Sequence, residues 1–324
     1  MMQSVHVFDS WVDSCAGNAK KLSARSVLLY RQRWLAFVRY LAEQGKSVAD
    51  AAPDDLQTFV NSRVLRAANG KQPSVLTTSR YLRNLQQVYR HGVLSGAFAS
   101  NPADQVMLPF SVRPNGMVLP LPWLKAIVGD INMHPQSFTE LRNAVLVQLC
   151  AVEAFSVADL TGLQLEDVQC VVPASAASTT FSASSLGSVL ESGIQVQLYL
   201  RGRRLAQRRA RLLEGTSALL VYKWIQLLPT LPGLHLSQCL FRSLPTKKSL
   251  TAKTVYEVCA EHVRASLAKL QVHQLPYHLG PNVLRNSRIV AWLNGGVSRE
   301  AVCARIGIGG PSRLDRLAHA VNAY

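Results

Sequence analysis

The densest set of residues able to do chemistry is the run LYLRGRRLAQRRARL. Arg201, Arg203, Arg204, Arg208, Arg209 and Arg211 occur there with no acid among them. Guanidinium forks match phosphate oxygens in pairs, and an edge hairpin can lay them along a phosphate backbone. The alternating segment GIQVQLYL and a turn glycine adjoin the run, so a strand and hairpin are expected to carry it. A solvated hairpin is the plain alternative, but six like charges repel one another without an anionic partner. A second set opens a helix. In KQPSVLTTSRYLRN, Ser74, Thr77, Thr78, Arg80 and Arg83 fall on the first turns, opposite the face of Leu82 and Leu85. Hydroxyls and arginines contact phosphates and base edges when a helix end enters a groove. An ordinary polar helix face is the alternative there.

Other chemistry finds no support. There is no Walker loop and no GxGxxG followed by a ribose-binding acid, and GIGG at 307–310 is a glycine cluster in the wrong context. None of the eight histidines forms a metal-binding spacing; His262 and His273 read as helix-surface residues. No Ser/His/Asp set is recognisable. Cys15, Cys150, Cys170, Cys239, Cys259 and Cys303 are scattered without a CxxC pair, and read as small buried hydrophobes in a reducing compartment. Neither a metal nor a cofactor is expected.

The charge balance agrees with the arginines. Lys and Arg outnumber Asp and Glu by 35 to 19, giving +16 over 324 residues and pointing to a polyanionic partner. Hydrophobic residues, at 48%, suffice for real cores, so disorder is not the default reading. No apolar run reaches the roughly 18 residues that span a bilayer. The opening MMQSVHVFDSWVDS lacks a basic region followed by an apolar one, so no signal peptide is expected. A cytoplasmic protein associated with nucleoid or plasmid, with no membrane partner, is the expectation.

Apolar residues at helical spacing (Val27, Tyr30, Trp34, Val38, Leu41) predict a helix over 24–44, ended by Gly45. A second starts near Pro53 with the stripe Leu56, Phe59, Val60 and Val64. A third follows Ser74, as a cap, with Leu82, Leu85, Val88 and Tyr89 on one face. Residues 1–105 therefore form a helical domain and the proline-rich 106–122 a linker; 123–324 form a larger domain. There a helix runs through ELRNAVLVQLCAVEAF, and a short one with a turn through VADLTGLQLEDV. PASAASTTFSASSLGS is a small-residue loop or insertion, and helices follow over 214–229, 251–270, 281–293 and 298–307, the last capped by Ser298.

This order of elements resembles the tyrosine recombinases, or phage integrases. SARSVLLYRQRWLAFVRYLAEQG is similar to their first core-binding helix, and SVLTTSRYLRNLQQVYRHGVLSGAFASNPA to their last, closing on Asn101-Pro102. ELRNAVLVQLCAVEAFSVADLTGLQLEDV resembles the apolar helix and G-L-R-x-S-E-L-x-x-L stretch. NVLRNSRIVAWLNGGVSREAVCARIGIGG resembles the H-x-L-R-H box, its trailing helix, the N-G-V turn and the L-G-H box. The resemblance implies a mainly α fold with a small antiparallel sheet (α+β), made of a SAM-like core-binding domain and a catalytic-type domain that together grip duplex DNA.

It also implies a chemistry. In that family a tyrosine attacks phosphorus while cationic donors stabilise the phosphate oxygens. The first family arginine falls here on Ser156, with the following acid kept as Asp159, and the hairpin lysine falls near Arg201. The H-x-L-R-H box keeps Arg285 but carries Asn282 and Asn286 for its histidines. The L-G-H position falls on Ile308 and the nucleophile on Leu317. Five of the six positions are changed, so the scaffold reads as catalytically degenerate. Losing one oxyanion donor costs roughly a hundred- to a thousandfold in rate, and losing the nucleophile removes the covalent route.

The expectation is a sequence-specific double-stranded-DNA-binding protein acting as a regulator, partition or accessory factor, as a homo-oligomer on DNA or beside an active recombinase. Its DNA-binding candidates are Ser74, Thr77, Thr78, Arg80, Arg83, Arg201, Arg203, Arg204, Arg208, Lys247, Lys248, Lys253, Asn282 and Arg285. Arg285 is expected to touch phosphate; the alternative is a buried structural arginine paired with Asp159 or Glu166. Two other readings stand beside this one: an active recombinase using Tyr324 as a displaced nucleophile, and a helical interaction or RNA-binding module.

Overall fold

The computed structural model describes residues 2–17, 22–61, 75–106, 115–171, 193–202, 208–230, 238–243, 248–276 and 278–322. It divides into two compact units, Met1–Pro114 and Asn115–Tyr324, the boundary falling inside the proline-rich stretch. Ser74, Arg203, Arg204, Lys247 and Tyr324, and the small-residue segment 173–188, lie outside the described residues.

Among the described residues of the first unit there are four α-helices: α1 (Met2–Gly17), α2 (Ala24–Glu43), α3 (Pro53–Asn61) and α4 (Val75–Leu94). α2 starts where Ser23 Oγ accepts the Ser26 amide at 3.1 Å, satisfying an otherwise orphan N–H. Of the stripe its spacing predicts it buries Trp34, Val38 and Leu41, leaves Val27 and Tyr30 half-buried, and adds Phe37 to the buried side. α3 opens on Pro53 with Asp54 and Asp55 in its first turn, where carboxylates favour the positive end of the helix dipole. The core closes on aromatic pairs, Trp34 with Tyr89 at 5.5 Å and Phe37 with Phe59 at 5.1 Å between ring centres. The Tyr89 hydroxyl, buried with them, donates to the Val48 carbonyl at 2.9 Å. α1, which the periodicity reading left without an element, packs Val7, Phe8 and Trp11 into this core.

The second unit begins with α5 (Leu121–Gly129) and α6 (Phe138–Ala151), the latter buried along nearly its whole length. Then come α7 (Val157–Gly162) and the antiparallel sheet β1 (Val168–Val171), β2 (Gln195–Arg201) and β3 (Arg208–Leu213), in the order β1-β2-β3. Val168 faces Leu198 across the first pair; Val196 faces Leu213 and Arg201 faces Arg208 across the second. Alternation along β2 turns Val196, Leu198 and Leu200 inward onto the core that α6 centres. α8 (Gly215–Leu227) adds Trp224, whose indole N–H donates to the Leu240 carbonyl at 3.0 Å. α9 (Ala252–Lys269), α10 (Pro281–Asn294) and α11 (Arg299–Ile306) follow, and a 3-10 turn over Asp315–Ala320 ends the described fold. Ser298 caps α11, its Oγ accepting the Ala301 amide at 3.2 Å. Among the described residues no helix is long and apolar enough to cross a membrane, and no three His, Cys, Asp or Glu side chains gather as metal ligands.

Candidate nucleic-acid interface

α4 sorts its polar residues onto different sides. Arg80, Arg83, Gln87 and Arg90, spaced at i, i+3, i+7 and i+10, form one exposed ridge. Thr77 is half-buried. Thr78 lies four residues before Leu82 and turns inward with it, 9% exposed, beside an almost fully buried Ser79. The expectation that all the hydroxyls face away from the Leu82 and Leu85 side therefore fails for Thr78: the residue belongs to the packed face, and the arginines with Gln87 form the outer one. Arg90, which the sequence reading did not single out, extends the ridge and pairs loosely with Asp104 at 3.9 Å.

In the second unit the arginine run is not uncompensated. Arg201, the last residue of β2, donates from Nη2 to Glu166 at 2.6 Å and from Nε to Asp167, and both carboxylates raise its pKa. Arg209 forks onto Asp159, and Arg211 donates to Glu153 at 2.8 Å. Both strand arginines also grip the Arg305 carbonyl at the end of α11, at 2.8 and 3.1 Å. Only alternate residues of β3 turn this way, so Arg208, beside Arg209 in the strand, faces solvent. A cleft of about 720 Å³ at the start of α7 is lined by Ser156, Asp159, Thr161, Arg201, Gly202 and Arg208, among others.

Ser156, where the resemblance puts the first arginine, is the N-cap of α7. Its Oγ accepts the Asp159 amide at 3.2 Å, while its own amide and hydroxyl donate to Asp159 Oδ2 at 2.8 and 2.7 Å. This capping box occupies the serine entirely with helix initiation. Arg285, half-buried on the first turns of α10, donates from Nε to the Ala154 carbonyl at 2.9 Å and from Nη2 to the Ile306 carbonyl at 3.1 Å. Ala154 holds φ at +54°, a left-handed conformation that alanine rarely adopts, at the point where its carbonyl meets the guanidinium. Burial pulls Arg285 below its ordinary pKa; Asp159 opposes that shift, while Arg209 and Arg316 add to it. Arg285 is thus anchored through main-chain carbonyls, with Asp159 near enough to be felt and Glu166 engaged elsewhere by Arg201.

Asn286 bridges two segments. Its Nδ2 donates to the Met117 carbonyl at 3.1 Å, and its Oδ1 accepts from Arg316 Nη2 at 3.0 Å. Arg316, missed in the sequence reading, brings another cation beside Arg285; its only sequence signal was its place next to Leu317. Asn282 is exposed, and Ile308 packs half-buried on the last core cluster. Leu317 is fully buried in that cluster with Ile289, Val302, Ile306 and Leu314. Gly116 closes over it: a Cβ there would stand 2.7 Å from Leu317 Cδ2, and the Gly116 amide donates to the Arg316 carbonyl at 2.8 Å. Lys248 and Lys253 are exposed, the latter 3.6 Å from Glu257 one turn on. The arrangement offers arginines at the surface and around Arg285 for holding oxyanions.

Residues 17–91 match the family described as phage integrase, N-terminal SAM-like domain. No curated protein matches the sequence. Solved structures align over nearly all of the chain, three of them as follows. The XerH site-specific recombinase bound to palindromic difH substrate gives a TM-score of 0.69 at 14% identity, covering 96% of this chain and 80% of its own. The Tn1549 transposon integrase in complex with a circular intermediate DNA gives 0.65 at 12% identity, covering 96% and 94%. A lambda integrase dimer bound to a COC′ core site gives 0.61 at 13% identity, covering 95% and 76%. At such identities the likeness is one of fold.

Proposed function

We propose, from the premise that this chain has the two-domain fold of the tyrosine recombinases and the phage-integrase SAM-like segment over residues 17–91, that it binds duplex DNA sequence-specifically without cutting it. The observation that carries this reading is Leu317. Where the resemblance puts the nucleophilic tyrosine stands a fully buried aliphatic side chain, roofed by Gly116 and carrying no atom that can attack phosphorus. Ser156 supports it as a helix cap in place of a cationic fork. The positive surface is kept, with Arg80, Arg83 and Arg90 on α4 and Arg208 and Arg316 in the second unit.

The solved lambda integrases are held on DNA as a dimer at a core site and as a tetramer at a Holliday junction. By analogy the chain acts as a homo-oligomer on DNA or beside an active recombinase, in a regulatory, partition or accessory role. Two assays test it. A labelled duplex, taken from chromosomal or plasmid DNA recovered with the protein, should shift on a native gel in a salt-dependent way, and RNA should not. A suicide substrate carrying that site should give no covalent adduct on a denaturing gel. An adduct that disappears in Tyr324→Phe would replace this reading with that of an active recombinase using a displaced nucleophile.

A further inference from the structure

A separate cleft of about 650 Å³ lies between β3, the second half of α10 and the last turn of α11, and shares no lining residue with the cleft at Ser156. Arg209, Ala210, Arg211 and Leu212 line it in succession. Side chains of a strand alternate between two faces, so four consecutive residues border one cleft where it runs along the strand's edge. β3 is the last strand of the sheet and pairs with β2 alone among the described residues. Its outer edge carries a row of main-chain N–H and C=O groups, the template to which a further strand adds. Arg209 and Arg211 cross from β3 to the Arg305 carbonyl and fix the distance between the two walls.

The charges of the cleft do not cancel. Arg209 is matched by Asp159 and Arg211 by Glu153. Arg288 and Arg305 also line it, and neither has an ion-pair partner among the described residues: Arg288 donates from Nε to the Ala151 carbonyl at 2.7 Å, and Arg305 lies over the Trp292 ring at 5.2 Å. Against these two cations stands one carboxylate outside an ion pair, Glu214, which accepts from Gln195. Burial holds Arg288 below its ordinary pKa, so this cation gains from an anion brought to it. Beside the cations lie Trp292, half-buried, and Leu212, 50% exposed. A nucleic-acid backbone brings acceptors alone to an edge that also needs donors, and it leaves that apolar surface unused. An extended peptide brings both, with alternate side chains for the pockets beside the strand. We propose that this cleft binds an acidic, extended segment of a partner protein. The segment adds as a strand to the β3 edge, setting a carboxylate against Arg288 and Arg305 and an apolar side chain against Leu212 and Trp292. A second copy of this chain is a poor source for it. The adjacent acid pairs of the sequence, Asp54-Asp55 and Glu166-Asp167, are committed to the start of α3 and to Arg201. The site is separate from the exposed arginines of the duplex reading and does not depend on it.

The test pans a phage-displayed library of random peptides, about ten residues long as a long strand requires, on the full-length protein without DNA. Affinities of the enriched peptides are then measured by fluorescence anisotropy on the wild type and on Arg305→Glu, Leu212→Glu and Arg208→Glu. The enriched peptides should alternate acidic and apolar residues. Arg305→Glu and Leu212→Glu should each weaken them at least about tenfold, because a like charge now opposes the acid. Both positions are exposed, and the test stands on whichever variant keeps the wild-type melting temperature. Arg208→Glu makes the same charge change outside the cleft and should cost no more than about twofold through screened attraction. N-methylation of one alternate set of peptide amides should abolish binding while the other set tolerates it, as pairing with a single edge requires. Enrichment of no acidic class, or a loss in Arg208→Glu equal to that in Arg305→Glu, would overturn the site. So would two other results. A duplex that displaces the peptide and fails equally on Arg305→Glu would give the cleft to nucleic acid. A wild-type oligomer that both cleft variants dissociate in sedimentation would give it to a second copy.

Discussion

The guanidinium of Arg209 reaches from β3 to Asp159 on α7, Nη1 to Oδ1 at 3.3 Å and Nη2 to Oδ2 at 3.2 Å, with each side chain 9% exposed. The same carboxylate completes the capping box of Ser156, and the same arginine holds the Arg305 carbonyl. One acid thus joins the start of α7, the third strand and the end of α11. Removing it takes the carboxylate from a buried guanidinium and breaks half of the box at a helix start that Ser156 still caps. Asp159→Ala should cost about 3–5 kcal/mol, mostly from the broken ion pair, with the Ser156 amide and hydroxyl also losing their acceptor. Urea unfolding checks it; a loss under about 1 kcal/mol would mean that solvent screens the pair as it does on a surface.

Arg285 is the next case. Its two carbonyl partners, Ala154 and Ile306, lie on segments that otherwise meet through the cluster around Leu317. The sequence reading expects Arg285→Ala to weaken DNA binding with little change in melting temperature. The observed hydrogen bonds predict a different balance. Each of its two hydrogen bonds from a charged donor is worth about 1.5–3 kcal/mol, so the variant should lose roughly 3–6 kcal/mol of stability along with any DNA affinity. Arg285→Lys cannot span both carbonyls and should recover only part. An unchanged urea midpoint in Arg285→Ala would return this arginine to a purely DNA-facing role.

A third prediction concerns the roof over Leu317. A methyl group at position 116 would also meet Asn286 Nδ2 at 3.1 Å, so Gly116→Ala must push its own segment, residues 115–120, or the leucine aside. Overpacking of this kind costs about 1–3 kcal/mol, and Leu317→Ala should cost about 2–5 kcal/mol through the cavity it leaves. The double variant Gly116→Ala/Leu317→Ala should be less destabilised than the sum of the two, since the added methyl enters the vacated space. Strict additivity in thermal unfolding would mean that Gly116 and Leu317 do not touch in solution.

How much of this was open to reading before the fold depended on the range of the interaction. Helix ends set by neighbours three residues apart were legible, as at Ser298, where the cap and its amide partner are local. So was the stripe of α2, because a 3.6-residue period is written into the chain. The pairing of the arginine run was not. Arg201, Arg209 and Arg211 meet acids 34 to 58 positions away, and only sheet register decides which guanidinium faces which carboxylate. Thr78 illustrates the opposite error: polarity suggested an outward face, while its i+4 relation to Leu82 put it on the inward one.

Salt dependence separates the arginines that are free to meet phosphate from those already spoken for. Arg80 and Arg83 have no ion-pair partner among the described residues, and Arg90 holds Asp104 only at 3.9 Å, with both side chains largely in solvent. Such a pair is worth little and yields readily to a phosphate. Each duplex phosphate neutralised contributes about 0.9 to the slope of log K against log salt. Replacing Arg80, Arg83 and Arg90 together with Ala should therefore flatten the slope by roughly 2 to 3 units, while stability moves by no more than about 0.5 kcal/mol for each exposed site. Arg201→Ala should flatten it by much less than about 0.9, because Glu166 and Asp167 already neutralise that guanidinium. Sequence preference separates the ridge further. If Arg80 or Arg83 reads a guanine edge, its single Ala variant should lose about 1–3 kcal/mol of discrimination at one or two base pairs. A side chain that meets only phosphate should, when removed, weaken specific and scrambled duplexes alike. Fluorescence anisotropy on both duplexes, from about 50 to about 300 mM salt to span the steep range, reads every arm at once. A slope that falls in Arg201→Ala and holds in the ridge variant would move the interface from α4 to the hairpin.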